Sequence, residues 1–320
     1  MRRLRDVGEH RWLDQLTARL ARRPSGGRVA VGPGDDAAVV HPGRRPLLLT
    51  TDTLVEDVHF RRGWTTPAAL GRRAFAVNAS DLAAMGGVPV VALLALEAPG
   101  RVAVAELDAI VTGFARALAR AGGSLVGGNV AAGPHLAITV LLAGEAPGRV
   151  VTRAGARAGD VVYVTGTLGA AGLAVSRLRA RHRGRLAEPP IRVDAGRRLA
   201  TVASAMIDVS DGLVQDLGHL CRASGVGAAL SLDRLPVAPA VRRALGAGAA
   251  AFAARSGEDY ELLFTVPRRR ARALGRLVPR LGCRVTPLGR MVAGRPVVRV
   301  ADGDGRTRVL ERGGFDHFRA

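Results

Sequence analysis

The spacing of hydrophobic side chains along the chain predicts a series of alternating helices and strands. One face of a helix over residues 9–23 carries four apolar side chains: Trp12, Leu13, Leu16 and Leu20. A second helix is predicted over residues 67–85, because Pro67 stands at its beginning and Gly86-Gly87 follows its end. Such an alternation of helical and extended segments is typical of mixed α/β domains.

The later segments continue this alternation. Strands are predicted over 47–57, 88–96, 136–142, 228–232 and 260–266, and helices over 103–121 and 268–281. Residues 160–178 have the pattern of a strand, a glycine-rich turn and a helix, and the segments 195–204 and 211–223 extend the series. Residues 144–157 are rich in Gly, Pro and Arg, which indicates a junction between two domains, 1–145 and 146–320.

The stretch SLVGGNVAAG, residues 124–133, contains no charged side chain. Its first residues are typical of a short strand, and the paired glycines Gly127-Gly128 predict a break before Asn129. The pattern by itself leaves two interpretations open. The glycines either form a turn, or they leave the backbone bare so that a ligand can approach it.

Composition limits the classes of protein to which the chain can belong. Hydrophobic residues make up 48% of the sequence, enough for two cores. The longest apolar runs are far shorter than the ~20 residues that a membrane-spanning helix needs, and the N-terminus has no continuous apolar block of the kind found in secretory signals. Two cysteines, Cys221 and Cys283, make neither a disulfide framework nor a metal cluster. We therefore expect a cytoplasmic protein.

The net charge of +20 raises the possibility of nucleic-acid binding. All 47 basic residues are arginine, however, which a GC-rich genome explains more simply. Aromatic residues, which would stack on bases, make up only 3% of the sequence. We expect nonspecific attraction of anions and no dedicated nucleic-acid function.

Five short motifs place carboxylates at breaks between hydrophobic runs, where loops often present functional side chains. They are GPGDDAAVV with Asp35 and Asp36, TTDTLVEDVHF with Thr50, Thr51, Asp52 and His59, AVNASDLAAMGG with Asn78 and Asp81, MIDVSDGLVQDL with Asp208, Ser210 and Asp211, and SGEDYELLF with Glu258 and Asp259. Each motif alone is explained by a turn, a helix cap or a solvated surface.

Together, the same motifs favour a second interpretation. If their carboxylates converge, they form an acidic pocket that suits Mg²⁺ and phosphoryl transfer; the residues concerned are Asp36, Asp52, Asp81 and Asp208. The chain has no lysine, so it has neither a P-loop lysine nor a protein-kinase signature. Any ATP chemistry must therefore use a different scaffold.

Seven motifs, taken in order, resemble those of bacterial thiamine-monophosphate kinases and extend from residue 32 to residue 318. They are GDDAAVV, TTDTLVEDVHF, AVNASDLAAMGG, VTGTLG, IDVSDGLVQDLGHL, SGEDYELLFTV and GGFDHF. The resemblance implies the two-domain α/β (α+β) fold shared with aminoimidazole ribonucleotide synthetase. In that fold an N-terminal mixed sheet pairs with the sheet of a second subunit in a homodimer, and a C-terminal α/β domain follows.

The resemblance also implies a reaction. ATP phosphorylates thiamine monophosphate to thiamine diphosphate by direct in-line transfer, with Mg²⁺ and without a phosphoenzyme. The family's metal-ligand positions match Asp36, Thr50, Thr51, Asp52, Asp81, Asn129, Asp208 and Asp211. Its nucleotide contacts match Gly127, Gly128, Asn129, Arg153 and Ser210, and its substrate contacts match His59, Glu258 and Phe315. Catalysis is expected of Arg153, Asp52 and Asp208, and no general base is assigned because the acceptor phosphate is already anionic near pH 7.

Other members of the same superfamily match the sequence less well. Selenophosphate synthetases are expected to carry an N-terminal reactive cysteine or selenocysteine and a lysine, and the hydrogenase-maturation member ends in a reactive cysteine, whereas this chain ends in FRA. The purine-pathway synthetase shares the fold, but SGEDYELLF and GGFDHF favour the thiamine branch.

The chain departs from the family pattern at one site segment. The family loop is Gly-Gly-Asp-Thr, and this chain has Gly127-Gly128-Asn129-Val130. Asparagine can still bind Mg²⁺, more weakly, through one neutral oxygen. The favoured interpretation is an active kinase, and the alternative is a catalytically weakened paralogue that binds nucleotide or thiamine phosphate.

Overall fold

A computed structural model describes residues 3, 6, 9–21, 28–31, 39–301 and 307–309. The chain divides into two compact units. The first comprises Met1–Leu82 and Val88–Ala146, and the second comprises Ala83–Gly87 and Pro147–Ala320. Among the described residues, no helix has both the length and the apolar character that crossing a membrane requires.

The first unit combines three helices with two sheets in the part of the chain that the structure describes. The helices are α1 (Glu9–Ala21), α2 (Pro67–Ala84) and α3 (Val104–Arg120). The strands are β1 (Val29–Val31), β2 (Val39–Val40), β3 (Leu47–Val55), β4 (Val88–Ala98), β5 (Ser124–Ala132) and β6 (Ala137–Glu145). The predicted helices and strands of this half are confirmed, with ends that shift by a few residues.

The main sheet of the first unit has the strand order β3-β6-β4-β5 among the described residues. β6 pairs antiparallel with β3 and β4, and β4 pairs parallel with β5. Because successive side chains of a strand point to opposite faces, the register assigns each residue to a face. Leu54, Ile138 and Leu96 form one buried row on the face that carries Thr50.

The opposite face of this sheet is exposed and apolar, and we call it the open face. Thr51 pairs with Leu141, which pairs in turn with Leu93. Four leucines are exposed on this face: Leu47 is 62% exposed, Leu49 65%, Leu93 39% and Leu141 42%. Leucines at such exposure on one sheet face leave an apolar patch uncovered.

The predicted break at Gly127-Gly128 is wrong, because β5 continues from Ser124 through Ala132. Gly127 and Gly128 pair with Leu93 and Leu94 of β4, after a bulge. A Cβ atom on Gly128 would overlap the carbonyl oxygen of Leu94. The glycine therefore permits close approach of two strands, a recognised role of glycine within a sheet.

The second unit is a seven-stranded sheet with helices in its described part. Its strands are β7 (Val161–Thr165), β8 (Ala205–Asp208), β9 (Gly227–Ser231), β10 (Leu262–Val266), β11 (Val285–Val292), β12 (Val298–Ala301) and β13 (Thr307–Val309), in the order β13-β12-β9-β11-β7-β10-β8. Its helices are α4 (Ala170–Arg179), α5 (Val193–Leu199), α6 (Leu213–Ser224), α7 (Pro239–Leu245), α8 (Ala249–Ala253) and α9 (Ala271–Leu277). Leu217, Leu263 and Leu288 belong to one continuous buried core.

Sequence periodicity predicted this second unit less completely. The single helix expected over 268–281 is α9 with a short 3₁₀ turn on each side, Arg268–Arg270 and Val278–Arg280. The short helices α7 and α8 and the strands β11 to β13 were not predicted. Short helices have too few turns to display a 3.6-residue period.

The close approach at Gly128 yields a stability prediction. Gly128→Ala forces the Leu94 carbonyl to move, so we expect the free energy of unfolding to fall by about 1–3 kcal/mol, as overpacking does. Gly127→Ala is the matched control, because its Cβ would meet only the Cδ2 atom of Leu93, at 3.1 Å. Urea unfolding measures both variants, and an equal effect of the two would contradict the assignment.

Candidate functional site

In the first unit, β3 and the end of α2 bring three predicted site residues to one face of the sheet. The Thr50 hydroxyl donates a hydrogen bond to Asp81 Oδ2 at 2.5 Å. Asp52, two residues along β3, lies on the same face, and its Oδ1 accepts a hydrogen bond from the Thr53 backbone at 2.9 Å. All three side chains are half-buried. Their side-chain oxygens are of the chemical type that binds hard cations, and β3 is an edge strand of the sheet in the described part of the chain.

Thr51 and Asn129 lie elsewhere on the same sheet. Thr51 belongs to the open face, and its hydroxyl donates to the Val140 carbonyl at 2.8 Å. Asn129 is exposed on β5, the other edge strand. Three inter-strand spacings separate β3 from β5, which is roughly 14 Å. Within one chain, Asn129 and Asp52 therefore stand on opposite edges of the sheet.

His59 lies in the loop that follows β3, and its ring has a defined tautomer. The Val55 backbone donates a hydrogen bond to His59 Nδ1 at 3.0 Å. A ring nitrogen that accepts a hydrogen bond carries no proton, so in the neutral ring the proton is on Nε2. Glu56 fixes the loop, because its carboxylate accepts hydrogen bonds from Arg62 Nε at 2.7 Å and the Leu136 backbone at 3.2 Å.

In the second unit, the predicted residues Asp208, Ser210 and Asp211 lie between the end of β8 and the start of α6. Asp208 is the last residue of β8 and is only 4% exposed. The Asp216 carboxylate reaches back from the first turn of α6. It accepts hydrogen bonds from the backbone of Asp211 at 3.2 Å and of Gly212 at 3.1 Å. Asp216 thereby fixes the loop that carries Ser210 and Asp211.

Asp216 and His219 are additional candidate residues that sequence reasoning did not select. Possible ligand atoms of Asp211, Asp216 and His219 lie within 4.8 Å of one another. Burial, with the neighbouring charges of Asp208 and Asp211, raises the pKa of Asp216 to about 8. The signal was available in IDVSDGLVQDLGHL, where Asp216 and His219 are three residues apart on one helix face.

The SGEDYE segment, residues 256–261, is bonded directly to the loop after β8. The Glu258 backbone donates to the Ser210 carbonyl at 2.7 Å, and the Tyr260 backbone donates to the Val209 carbonyl at 2.8 Å. Glu258 and Tyr260 both have left-handed backbones, with φ of 69° and 49°. Such conformations persist only when surrounding contacts enforce them. The structure thus holds Glu258 beside Ser210.

Arg153 belongs to a segment that runs beside β8. The Met206 backbone donates to the Thr152 carbonyl at 3.1 Å, and Ser224 Oγ donates to the Arg153 carbonyl at 3.0 Å. The Arg153 side chain is exposed. Asp36 and Phe315, the other two predicted site residues, lie outside the described residues.

The donor chemistry of both units suits Mg²⁺. Carboxylate and hydroxyl oxygens are the hard ligands that this ion prefers, and the first unit offers them from Thr50, Asp52 and Asp81. The second unit offers the carboxylates of Asp208 and Asp211, whereas Asp216, with a pKa of about 8, holds the loop between them and α6.

Asp259, next to Glu258, yields a prediction for stability against pH. Burial raises the pKa of Asp259 to about 7. The hydrogen bond that its carboxylate accepts from the Gly169 backbone at 2.7 Å acts in the opposite direction and lowers the pKa. Because the folded pKa exceeds the unfolded value, the stabilisation from this proton is fully present below about pH 4 and is lost as the pH rises through about 7. Relative to Asp259→Asn, the free energy of unfolding should fall between pH 4 and pH 7, by at most about 1.4 kcal/mol per pH unit.

Urea unfolding of both proteins at a series of pH values measures this difference. Asp194→Asn, at a carboxylate exposed on α5, is the control for the removal of a surface carboxylate. A difference between wild type and Asp259→Asn that is constant from pH 4 to pH 8 would contradict the prediction.

Comparison with known proteins identifies the family of the chain. Residues 34–150 match the family "AIR synthase related protein, N-terminal domain", and residues 157–301 match its C-terminal domain. The chain is 41% identical to the thiamine-monophosphate kinase of Salmonella typhimurium over 306 residues, which covers 91% of this chain and 92% of that relative.

Solved structures give the same result. The thiamine-monophosphate kinase of Stenotrophomonas maltophilia K279a superposes with a TM-score of 0.81 at 36% identity, and the alignment covers 92% of this chain and 95% of the other. AaThiL complexed with AMPPCP and TMP superposes with a TM-score of 0.75 at 35% identity, over 99% of each chain. The chain has the two-domain fold of the AIR synthase related proteins and belongs to their thiamine-monophosphate kinase family.

Proposed function

We propose that this chain transfers the γ-phosphoryl group of ATP to thiamine monophosphate, giving ADP and thiamine diphosphate. The relatives named above carry that activity in their names, and one of them is solved with AMPPCP and TMP. The observation that carries the proposal is the hydrogen bond from Glu258 to Ser210. It joins a residue expected to bind thiamine to one expected to bind nucleotide. Because ATP is the donor, the proposal places the reaction in the cytoplasm.

In this proposal the carboxylates of both units bind Mg²⁺. Asp52, Asp81 and Thr50 supply ligands in the first unit, and Asp208 and Asp211 supply them in the second. Bound Mg²⁺ would neutralise phosphate charge. The Thr50 hydroxyl holds the Asp81 carboxylate in one orientation, so that the ligand is positioned before ATP arrives.

The remaining roles follow from charge and hydrogen-bonding capacity. Arg153 is a fixed cation that stabilises charge developing on the transferred phosphoryl group. His59 Nε2–H donates to the acceptor phosphate, because Nδ1 is already engaged by Val55. Glu258 faces polar or cationic groups of thiamine, and Phe315 provides an aromatic surface.

Direct transfer without a covalent enzyme intermediate fits the thiols of the chain. Burial raises the pKa of Cys221 to about 11, and burial also raises the pKa of Cys283. A thiol with a raised pKa is a poor nucleophile near pH 7. The acceptor is instead a phosphate oxygen of the substrate, which is already anionic.

The alternative of a catalytically weakened paralogue has no support in the comparisons. Its motivation was Asn129-Val130 in place of Asp-Thr. Val130 lies in the buried row of the sheet with Leu96, so an apolar side chain suits its position. Asn129 keeps a side-chain oxygen that can bind Mg²⁺. We therefore propose that the chain is an active kinase.

We further propose that two copies of the chain pair through the open face. Leu49, Leu93 and Leu141 are exposed there, and a second copy offers a complementary apolar surface in a two-fold dimer. Dimerisation also resolves the position of Asn129. If Asn129 and Asp52 serve one nucleotide, two copies must bring the β5 edge of one chain near the β3 edge of its partner.

The metal ligands yield a prediction for catalysis. Asp81→Asn removes one negative charge and should lower kcat with thiamine monophosphate by about a hundredfold or more, in line with the loss of one group that stabilises transition-state charge. It should also raise the Mg²⁺ concentration needed for half-maximal rate. Steady-state assays of ADP and thiamine diphosphate over a Mg²⁺ titration measure both effects.

The matched control for this assay is Asp194→Asn, at a carboxylate that is 84% exposed on α5. Its kinetics should equal those of the wild type. A folded Asp81→Asn protein with unchanged kcat and unchanged Mg²⁺ dependence would remove Asp81 from the site.

The open face yields a prediction for assembly. Leu141→Glu buries a carboxylate in the proposed interface, which is costly, so we expect a folded monomer of low activity. Light scattering after gel filtration measures the mass. Leu245→Glu, at a leucine 39% exposed on α7, is the control and should remain a dimer. A dimeric Leu141→Glu protein would refute this interface.

A further inference from the structure

A buried network in the second unit surrounds Glu261, a residue that sequence reasoning passed over. The Arg192 guanidinium donates two hydrogen bonds to the Glu261 carboxylate, from Nε at 2.7 Å and from Nη2 at 2.6 Å. Thr165 donates a third, from its hydroxyl, at 2.6 Å. The Glu261 side chain is only 6% exposed and that of Arg192 only 18%. A paired fork of this kind fixes both position and orientation.

The surrounding backbone is adapted to this network. The Thr165 hydroxyl accepts a hydrogen bond from the Leu262 backbone at 2.8 Å, so its own proton is directed to the Glu261 carboxylate. Gly166 has φ of 58°, and a Cβ atom there would overlap Glu261 Oε1. The Glu261 carbonyl accepts a hydrogen bond from the Val209 backbone at 2.8 Å. Three chain segments therefore meet at Glu261.

Glu261 is the last residue of the segment 256–261, in which Glu258 and Tyr260 have left-handed backbone conformations. Those conformations are unfavourable for residues with a side chain and need enforcing contacts. After Tyr260 in the chain, the enforcing contacts are the hydrogen bonds that the Glu261 carboxylate accepts from Arg192 and Thr165. Before Tyr260, the enforcing contact is the hydrogen bond from the Glu258 backbone to the Ser210 carbonyl.

We propose that Arg192 is a positioning residue for the thiamine monophosphate side of the site. By holding the Glu261 carboxylate, Arg192 keeps the backbone of residues 258–260 in the geometry that presents Glu258. The inference rests on the proposed function, because it takes Glu258 as a substrate contact. It goes beyond that function in assigning roles to Arg192, which lies outside the family motifs, and to Thr165 and Glu261, which lie within VTGTLG and SGEDYELLFTV but had no assigned role.

Other hydrogen bonds hold the loop on the nucleotide side, so the inference predicts different effects on the two substrates. Asp216 holds the backbone of Asp211 and Gly212 through two hydrogen bonds. None of these bonds involves Arg192 or Glu261. Loss of Arg192 should therefore act first on the segment 258–260, which is bonded to Val209 and Ser210, while Asp211 and Gly212 keep their bonds to Asp216. Thiamine monophosphate and ATP should respond differently.

The test is Arg192→Gln, with Arg197→Gln as the matched control. Arg197 lies five residues away on α5 and pairs only at the surface with Asp194, at 3.3 Å. For Arg192→Gln we expect the KM for thiamine monophosphate to rise by about tenfold or more, since small displacements of positioned groups have effects of this order. The KM for ATP should stay within about threefold, and calorimetry should show the same split between thiamine monophosphate and AMPPCP.

Arg192→Lys covers the case in which Arg192→Gln does not fold. Lysine keeps the charge but lacks the planar fork, so the KM for thiamine monophosphate should still rise selectively. Equal loss of affinity for both ligands, or lower thermal stability with unchanged KM values, would show a structural role only and overturn the inference. Wild type is assayed first, and if it makes no thiamine diphosphate the proposed function itself fails. An active wild type with an unaffected Arg192 variant refutes only the positioning role.

Discussion

A carboxyl group held away from water must keep its proton or be compensated by a hydrogen-bond donor, a fixed cation or a bound metal ion, and this constraint organises the second unit. The Glu261 carboxylate accepts hydrogen bonds from Arg192 and Thr165, and the Asp259 carboxylate accepts one from the Gly169 backbone. Asp216 receives two backbone donors at the start of α6. Burial still raises the pKa of Asp216 and Asp259. In the second unit these carboxylates therefore fix the loop segments that carry Asp211 and Glu258.

The alternation of side chains along β3 imposes a second constraint. Thr50 and Asp52 lie on the face that meets Asp81, and Thr51 lies on the open face. A contiguous motif in sequence is therefore divided between two faces of a sheet. The same geometry leaves Asn129 on the opposite edge strand. An apolar open face and a divided set of site residues are both explained if two copies of the chain share that face.

Sequence alone predicted much of the fold and only part of the site. The helix over Pro67–Ala84 was predicted closely because a proline and two glycines delimit it. The strand through Gly128 was not, because close approach to Leu94 depends on a neighbour that is distant in sequence. Arg192 was missed for the same reason, because its partner Glu261 is 69 residues away in the sequence. Asp216 and His219 were missed although their spacing on one helix face was visible, because the hydrogen bonds of Asp216 to Asp211 and Gly212 are a property of the folded loop. The roles of all the predicted site residues stay predictions, and Asp36 and Phe315 also lie outside the described residues.

The central claim is that phosphate passes directly from ATP to thiamine monophosphate on this chain. A single-turnover experiment with ATP labelled in its γ-phosphate, excess protein and Mg²⁺ tests it most directly. The label should appear in thiamine diphosphate, in an amount equal to the ADP formed, and never on the protein. ADP formed without labelled thiamine diphosphate, or label retained on the protein at an intermediate time, would contradict it.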